Sequence, residues 1–176
     1  MKKIINHLLF GILLIAALQS CQDILPEPEA SFRIEKDTII NNLKTRVEIT
    51  TADTIHPIYF VYEGSAMFNT VWPGDRFKKT VTVNYSPTEK NKKITYFVNQ
   101  DYDTRQDSVI LSYIMRRDTA WAQAAILHQG IALSYGTKEM EYTFKSKGDL
   151  TVTWISRNAN FNEANEAILQ KKIRVR

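Results

Sequence analysis

From residue 30 onward, apolar and polar side chains alternate in short runs, the period-two signature of strands with one buried face. Phe32 and Ile34 alternate with Arg33 and Glu35, and Val47 and Ile49 with Arg46 and Glu48. Asn41-Asn42 supplies the turn between them. Ile58 to Tyr62 (IYFVY) is denser, which predicts a central strand buried on both faces. Thr80 to Tyr85, Ile94 to Val98 and Ser108 to Met115 predict three further strands. Turn-rich stretches separate them: Trp72-Pro73-Gly74-Asp75, Ser86-Pro87 and Asn99 to Asp107. Thr119 to His128 breaks the rhythm. It is rich in alanine, has Asp118 or Thr119 as a cap and Gly130 as a stop, and predicts one short helix.

The last third reads most plainly. Tyr142 to Phe144 leads into the turn Lys147-Gly148-Asp149. Leu150, Val152 and Trp154 then face one way, while Thr151, Thr153 and Arg157 face the other. Asn158 to Asn165 reads as a polar loop, and Ile173 and Val175 alternate with Lys172, Arg174 and Arg176 in a closing strand. Outward charges on such a strand discourage edge-to-edge pairing. Many short strands with turns between them predict an all-β chain, folded as a β-sandwich.

One run departs from alternation altogether. Lys2 and Lys3 precede Leu8 to Leu18 (LLFGILLIAAL), which has the length of a secretory core and is too short to span a bilayer. Leu18-Gln19-Ser20-Cys21 follows, ending on the one cysteine of the chain. Charge, apolar core and cysteine at this spacing resemble a bacterial lipoprotein signal. An ordinary secretory signal with a chance cysteine is the alternative. The resemblance implies that residues 1–20 are removed and that Cys21 carries diacylglycerol and an N-terminal acyl chain, palmitate being the usual kind. Gln22 to Glu29 holds two prolines and three acids and reads as an extended, solvated tether. That makes 21–29 the link to a domain over 30–176. Acids directly after the lipidated cysteine resemble the export signal of Gram-negative surface lipoproteins, which implies outward display at the outer membrane; the periplasmic face is the alternative.

Composition sharpens this. Without its first 20 residues the 176-residue chain keeps 156, enough for one domain. Taking Lys2 and Lys3 from 23 basic side chains leaves 21 against 19 acidic, and no basic cluster, which argues against nucleic acid as a partner. Once Cys21 is acylated no thiol remains for a disulfide or a thiolate zinc site, so stability must come from an apolar core. Several acyl chains on one residue anchor a protein to the membrane without a transmembrane helix.

The residues of the sandwich carry a second resemblance. Phe144-x-x-x-Gly148-x-Leu150-x-Val152-x-Trp154-x-Ser156-x-Asn158, closing with Ile173-x-Val175, is similar to the C-terminal half of a PKD domain. That immunoglobulin-like family has a Y-x-x-x-G-x-Y-x-V-x-L-x-V-x-N pattern there. Ala30-Ser31-Phe32 followed by Val47-x-Ile49 is similar to its opening A-S-F and V-x-F strands. In the middle, only Trp72-Pro73-Gly74-Asp75 approaches the family's W-x-F-G-D-G turn, and Tyr142 stands where the family has histidine. The resemblance implies an immunoglobulin-like (PKD-like) β-sandwich with a large insertion over about 64–137. Surface lipoproteins of this build usually have no assigned activity.

Candidate chemistry is sparse. His56 and His128 lack neighbours at ligand spacing, so no metal is expected, and no motif asks for a cofactor. No serine sits in a G-x-S-x-G elbow. Glu63, Asp75 and Asp101 could serve as paired carboxylates of a hydrolase only if the fold gathered them. Asp101 and Asp103 begin a calcium-like spacing through Asp107, but Arg105 takes the next ligand place and no glycine follows. Asp-Thr or Asp-Ser before a small or aliphatic residue resembles an O-glycosylation sequon at Thr38, Thr54, Ser108 and Thr119. Tyr59, Phe60, Tyr62, Phe68, Trp72 and Phe77 crowd together, and flat apolar faces stack on sugar rings. Trp72, with Asp75 and Arg76 beside it in a Pro-Gly turn, is the candidate ligand edge. The expectation is a non-catalytic module that binds a glycan or a surface protein, with a structural subunit of a surface assembly as the alternative and a hydrolase behind both.

Overall fold

A computed structural model describes residues 25–83, 92–105, 126–161 and 163–176. Among them the chain forms β1 (Ala30–Ile40), β2 (Leu43–Glu48), β3 (Thr51–Ala52), β4 (Ile58–Gly64), β5 (Phe68–Trp72) and β6 (Arg76–Val83). β7 (Lys92–Asn99), β8 (Ile126–His128), β9 (Ile131–Leu133), β10 (Glu139–Tyr142), β11 (Gly148–Ala159) and β12 (Ala164–Val175) follow. The fold is all-β, with no helix among the described residues. The strand expected over Ser108 to Met115 lies outside them, as does most of the helix expected over Thr119 to His128. The last three residues of that helix are β8 instead, paired parallel to β7 through Phe97 with Ile126 and Asn99 with His128. There the edge of β7 offers hydrogen bonds, and Leu127 packs on the small core of that sheet, which together outweigh a weak local propensity.

Two sheets face each other as a sandwich, ordered β10-β4-β1-β2 and β3-β12-β11-β5-β9. Phe32, Ile34, Phe60 and Tyr62 pack from the first against Val71, Val152, Trp154, Ile173 and Val175 of the second. Each such fully buried apolar side chain contributes roughly 1.5–3 kcal/mol. Trp154 sits at the centre, stacked on Tyr62 at 5.3 Å and on Phe32 at 5.8 Å between ring centroids. Its Nε1–H donates to Asn69 Oδ1 at 3.0 Å, which satisfies the one polar atom the ring brings inside. β4 is not buried on both faces as its density predicted. Ile58, Phe60 and Tyr62 point inward, while half-buried Tyr59 is capped from outside by the Arg46 guanidinium at 3.9 Å. The β1–β2 turn is Asn41-Asn42 with φ of 51° and 63°, the left-handed pair that a two-residue hairpin needs.

β6, β7 and β8 form a third sheet with its own small core of Tyr96 and Val98. This arm lies within 64–137, but β5 and β9 from the same stretch belong to the sandwich. The chain enters the arm through Trp72-Pro73-Gly74-Asp75 and returns through β9.

Strand directions give the sandwich two ends. At the first end lie residues 25–29, the β4–β5 and β9–β10 connections and the β11–β12 turn. At the second lie the β1–β2 turn, the β3–β4 connection, the root of the arm and the β10–β11 connection. Residues 25–29, read from composition as solvated, are docked. Leu25 and Pro28 are buried, Asn165 Nδ2 donates to Leu25 O at 2.8 Å, and Asn158 Nδ2 donates to Pro26 O at 3.0 Å.

Candidate functional site

The turn that roots the arm is shaped by its own residues. Pro73 is fully buried. Gly74 has φ of 77°, and a Cβ there would lie 2.6 Å from Thr151 O, so both backbone and space demand glycine. The next three side chains of interest diverge from this point.

Asp75 turns inward and is 0 % exposed. Its carboxylate accepts from Lys145 N at 2.5 Å, Ser146 N at 2.9 Å, Tyr142 Oη at 2.9 Å and its neighbour Arg76 N at 2.9 Å. The Ser146 hydroxyl donates to it as well. A buried carboxylate is tolerated when its lone pairs are filled in this way. Gln100 closes the joint: Gln100 N donates to Asp75 O at 2.8 Å, and Gly74 N donates to Gln100 O at 2.9 Å. Burial, with the Asp75 charge adding to it, pushes the Tyr142 phenol well above its ordinary range. Asp75 therefore ties the arm to the sandwich and presents no surface to a ligand.

Arg76 turns to solvent and pairs with Asp101 Oδ2 at 2.5 Å. Trp72 turns onto the outer face of the five-stranded sheet. A Cβ on Gly130 would lie 2.5 Å from its Nε1, so the indole lies close against bare backbone. Tyr102, in the loop after β7, meets it edge-on at 5.7 Å. That loop is pinned by Gln170 Nε2, which donates to Asp103 Oδ1 at 3.0 Å.

Beside Trp72 the sheet face opens into a groove of about 730 Å³. Phe68, Thr70 and Trp72 of β5 and Ile155 and Arg157 of β11 form its floor, with Tyr102 and Arg105 as one wall. The Arg105 guanidinium lies over the Tyr102 ring at 3.5 Å, and Arg157 Nε lies 3.6 Å from Glu166 Oε1 across the far side. Aromatic and aliphatic faces with two guanidinium forks and a carboxylate at the rim can stack on a ring and bond its hydroxyls. The outward parity of β5 would have found Phe68 and Thr70 in the sequence. Nothing local announces Tyr102 or Arg105, because the arm carries them back onto the sheet.

The other candidates scatter. Glu63 lies at the first end, paired with Arg33 at 2.7 Å, away from Asp75 and Asp101 at the second. Asp101 Oδ1 accepts from Asp103 N at 3.1 Å, while Arg76 and Gln170 engage Asp101 and Asp103 from outside, so these acids fold the loop and tie it to its neighbours; Asp107 lies outside the described residues. Among the described residues no group of three His, Cys, Asp or Glu could hold a metal ion. His56 caps Asp53, with Nδ1 at 2.9 Å from Oδ2. The backbone N–H of His56, then its ring, hold the Asp53 carboxyl well below the usual carboxylate range. Thr38 and Thr54 are half-buried, in β1 and in the β3–β4 connection. Cys21, Ser108 and Thr119 lie outside the described residues. No family model matches the chain, and no curated protein or solved structure matches it.

Proposed function

We propose that this chain is a lipid-anchored surface module of the outer membrane, without catalytic activity, whose groove beside Trp72 binds a glycan. The observation that carries the reading is the juxtaposition of Trp72, Tyr102 and Phe68 with Arg105 and Arg157 on one sheet face. An aromatic floor stacks on the C–H face of a sugar, and the polar rim selects its hydroxyls. The pairing of strands supports the immunoglobulin-like, PKD-like form of the sandwich. β4 and β5 lie in opposite sheets, and of the last three strands one joins the first sheet and two the second, as in immunoglobulin-type sandwiches.

The test is a glycan array with the full chain, repeated with Tyr102→Ala and Arg157→Ala. Sugar binding that both changes abolish at unaltered melting temperature is the expected result. Hits that survive both changes, or none at all, overturn the glycan reading. Labelling with a palmitate analogue tests the anchor separately: wild type should take up label and Cys21→Ser should not.

A second reading, a structural subunit of a surface assembly, is favoured by the β1–β2 hairpin. Ile39, Ile40 and Leu43 are exposed at its tip, and among the described residues β2 is the edge strand of its sheet. An empty array together with co-purifying partners lost on Leu43→Asp would decide for it.

A further inference from the structure

We infer that the first end of the sandwich rests on the bilayer holding the Cys21 lipid, through a rim formed by Met67, Tyr135 and Phe161. The inference rests on the proposed lipidation of Cys21 and adds how the domain is held once anchored.

Two asparagine clamps fix the chain at this end. Asn158 and Asn165 hold Pro26 O and Leu25 O at the base of the β11–β12 turn. Residues 22–24 alone separate Leu25 from Cys21. Four Cα spacings reach no further than about 14 Å even when fully extended. The bilayer surface is thus held within that distance of Leu25. Beyond the clamps the β11–β12 turn carries Phe161, which is 101 % exposed. β11 ends one residue beyond Asn158, and the turn closed by Asn160 and Glu163 carries the ring further out, on the side of the clamps that the tether reaches. The neighbouring connections add to it. Tyr135, 83 % exposed, lies in the β9–β10 connection, and exposed Met67 lies just before β5 begins.

Exposed apolar side chains scattered singly are ordinary, but here three share the end where the chain is tied down. Phenyl and phenol rings suit the headgroup boundary, where an apolar body meets a wet edge. The charges at this end do not favour anionic lipid: Glu27 and Glu163 flank the rim with Lys138 of the β9–β10 connection, and among the described residues no basic cluster accompanies it. The contact is therefore apolar and insensitive to lipid charge. It stands the sandwich upright, with the root of the arm and the β1–β2 tip directed away from the membrane.

The test uses the lipidated full chain with Phe161→Cys or Leu43→Cys, each the sole free thiol once Cys21 is acylated. An environment-sensitive fluorophore is attached, and the protein is reconstituted in phosphatidylethanolamine–phosphatidylglycerol vesicles. The expected result is a label at 161 that nitroxide-bearing lipids quench and that iodide reaches several-fold less well than at 43, unchanged by salt. Equal iodide quenching at the two positions on vesicle-bound protein overturns the inference and leaves the anchor standing. Shielding at 161 without quenching by nitroxide lipid assigns the rim to a protein neighbour and also overturns it. Protein that fails to float with the vesicles overturns the lipidation, and the inference with it.

Discussion

Both ends of the sandwich hold an excursion of the chain, by opposite means. At the first end, two neutral amides, Asn158 and Asn165, donate separately to two carbonyls of residues 25 and 26. At the second, one buried carboxylate gathers donors from Tyr142, Lys145, Ser146 and Arg76. The amide bonds are independent, each worth about 1 kcal/mol net, and either can be lost alone. The carboxylate is shared, so its removal strands several buried donors together. The first joint can be loosened by degrees; the second holds or fails as a unit.

Substitutions can break or sharpen this contrast. The largest effect belongs to Asp75→Ala, which should destabilise by about 3–5 kcal/mol in urea melts, because buried donors lose their acceptor at once. Asn158→Ala should cost about 1–2 kcal/mol, since its side chain serves both Pro26 O and Met67 N. Equal losses from the two would erase the distinction between the ends. Tyr142→Phe should cost about 1 kcal/mol near neutrality. Its pH dependence is the sharper reading. The folded-state phenol titrates above its ordinary value, so the contribution of Tyr142 is full below about pH 10 and lost as pH rises beyond it. Melts of wild type and Tyr142→Phe should therefore converge in alkali; a gap that stays constant would place the phenol in an ordinary environment. The smallest effect is at the β1–β2 tip, where Leu43→Ser should change stability by less than about 0.5 kcal/mol, as for an exposed side chain.

What could be read from the sequence was what repeats locally. Alternation located β1, β2, β11 and the end of β12, whereas the loop expected over Asn158 to Asn165 is strand at both of its ends, and the parity of Val152 and Trp154 placed them inward correctly. Asn41-Asn42 announced its turn because so few residues accept left-handed φ. Asp75 was misread as part of an exposed edge because the donors that bury it lie 67 to 71 residues away and leave no local trace. Leu25 and Pro28 looked solvated for the same reason: the asparagine holding Leu25 O is 140 residues distant. β3, two residues long, carries no period at all, and is held by pairing parallel to β12 and by burying Ala52 in the core. The aromatic groove was half visible, in Trp72 and the outward parity of β5, and half hidden in a loop that the arm returns to the sheet.

β12 has one more consequence, in time rather than in space. It lies between β11 and β3, fills the core with Ile173 and Val175, and through Asn165 clasps the chain at Leu25. No earlier fragment can complete the sandwich, because the edge of β11 stays open and the core lacks Ile173 and Val175 until β12 has been synthesised. Such distant pairing makes folding slow and late. For the exported lipoprotein proposed above, threaded through a secretion channel in extended form, lateness is protective: nascent segments have little to collapse upon before translocation is over.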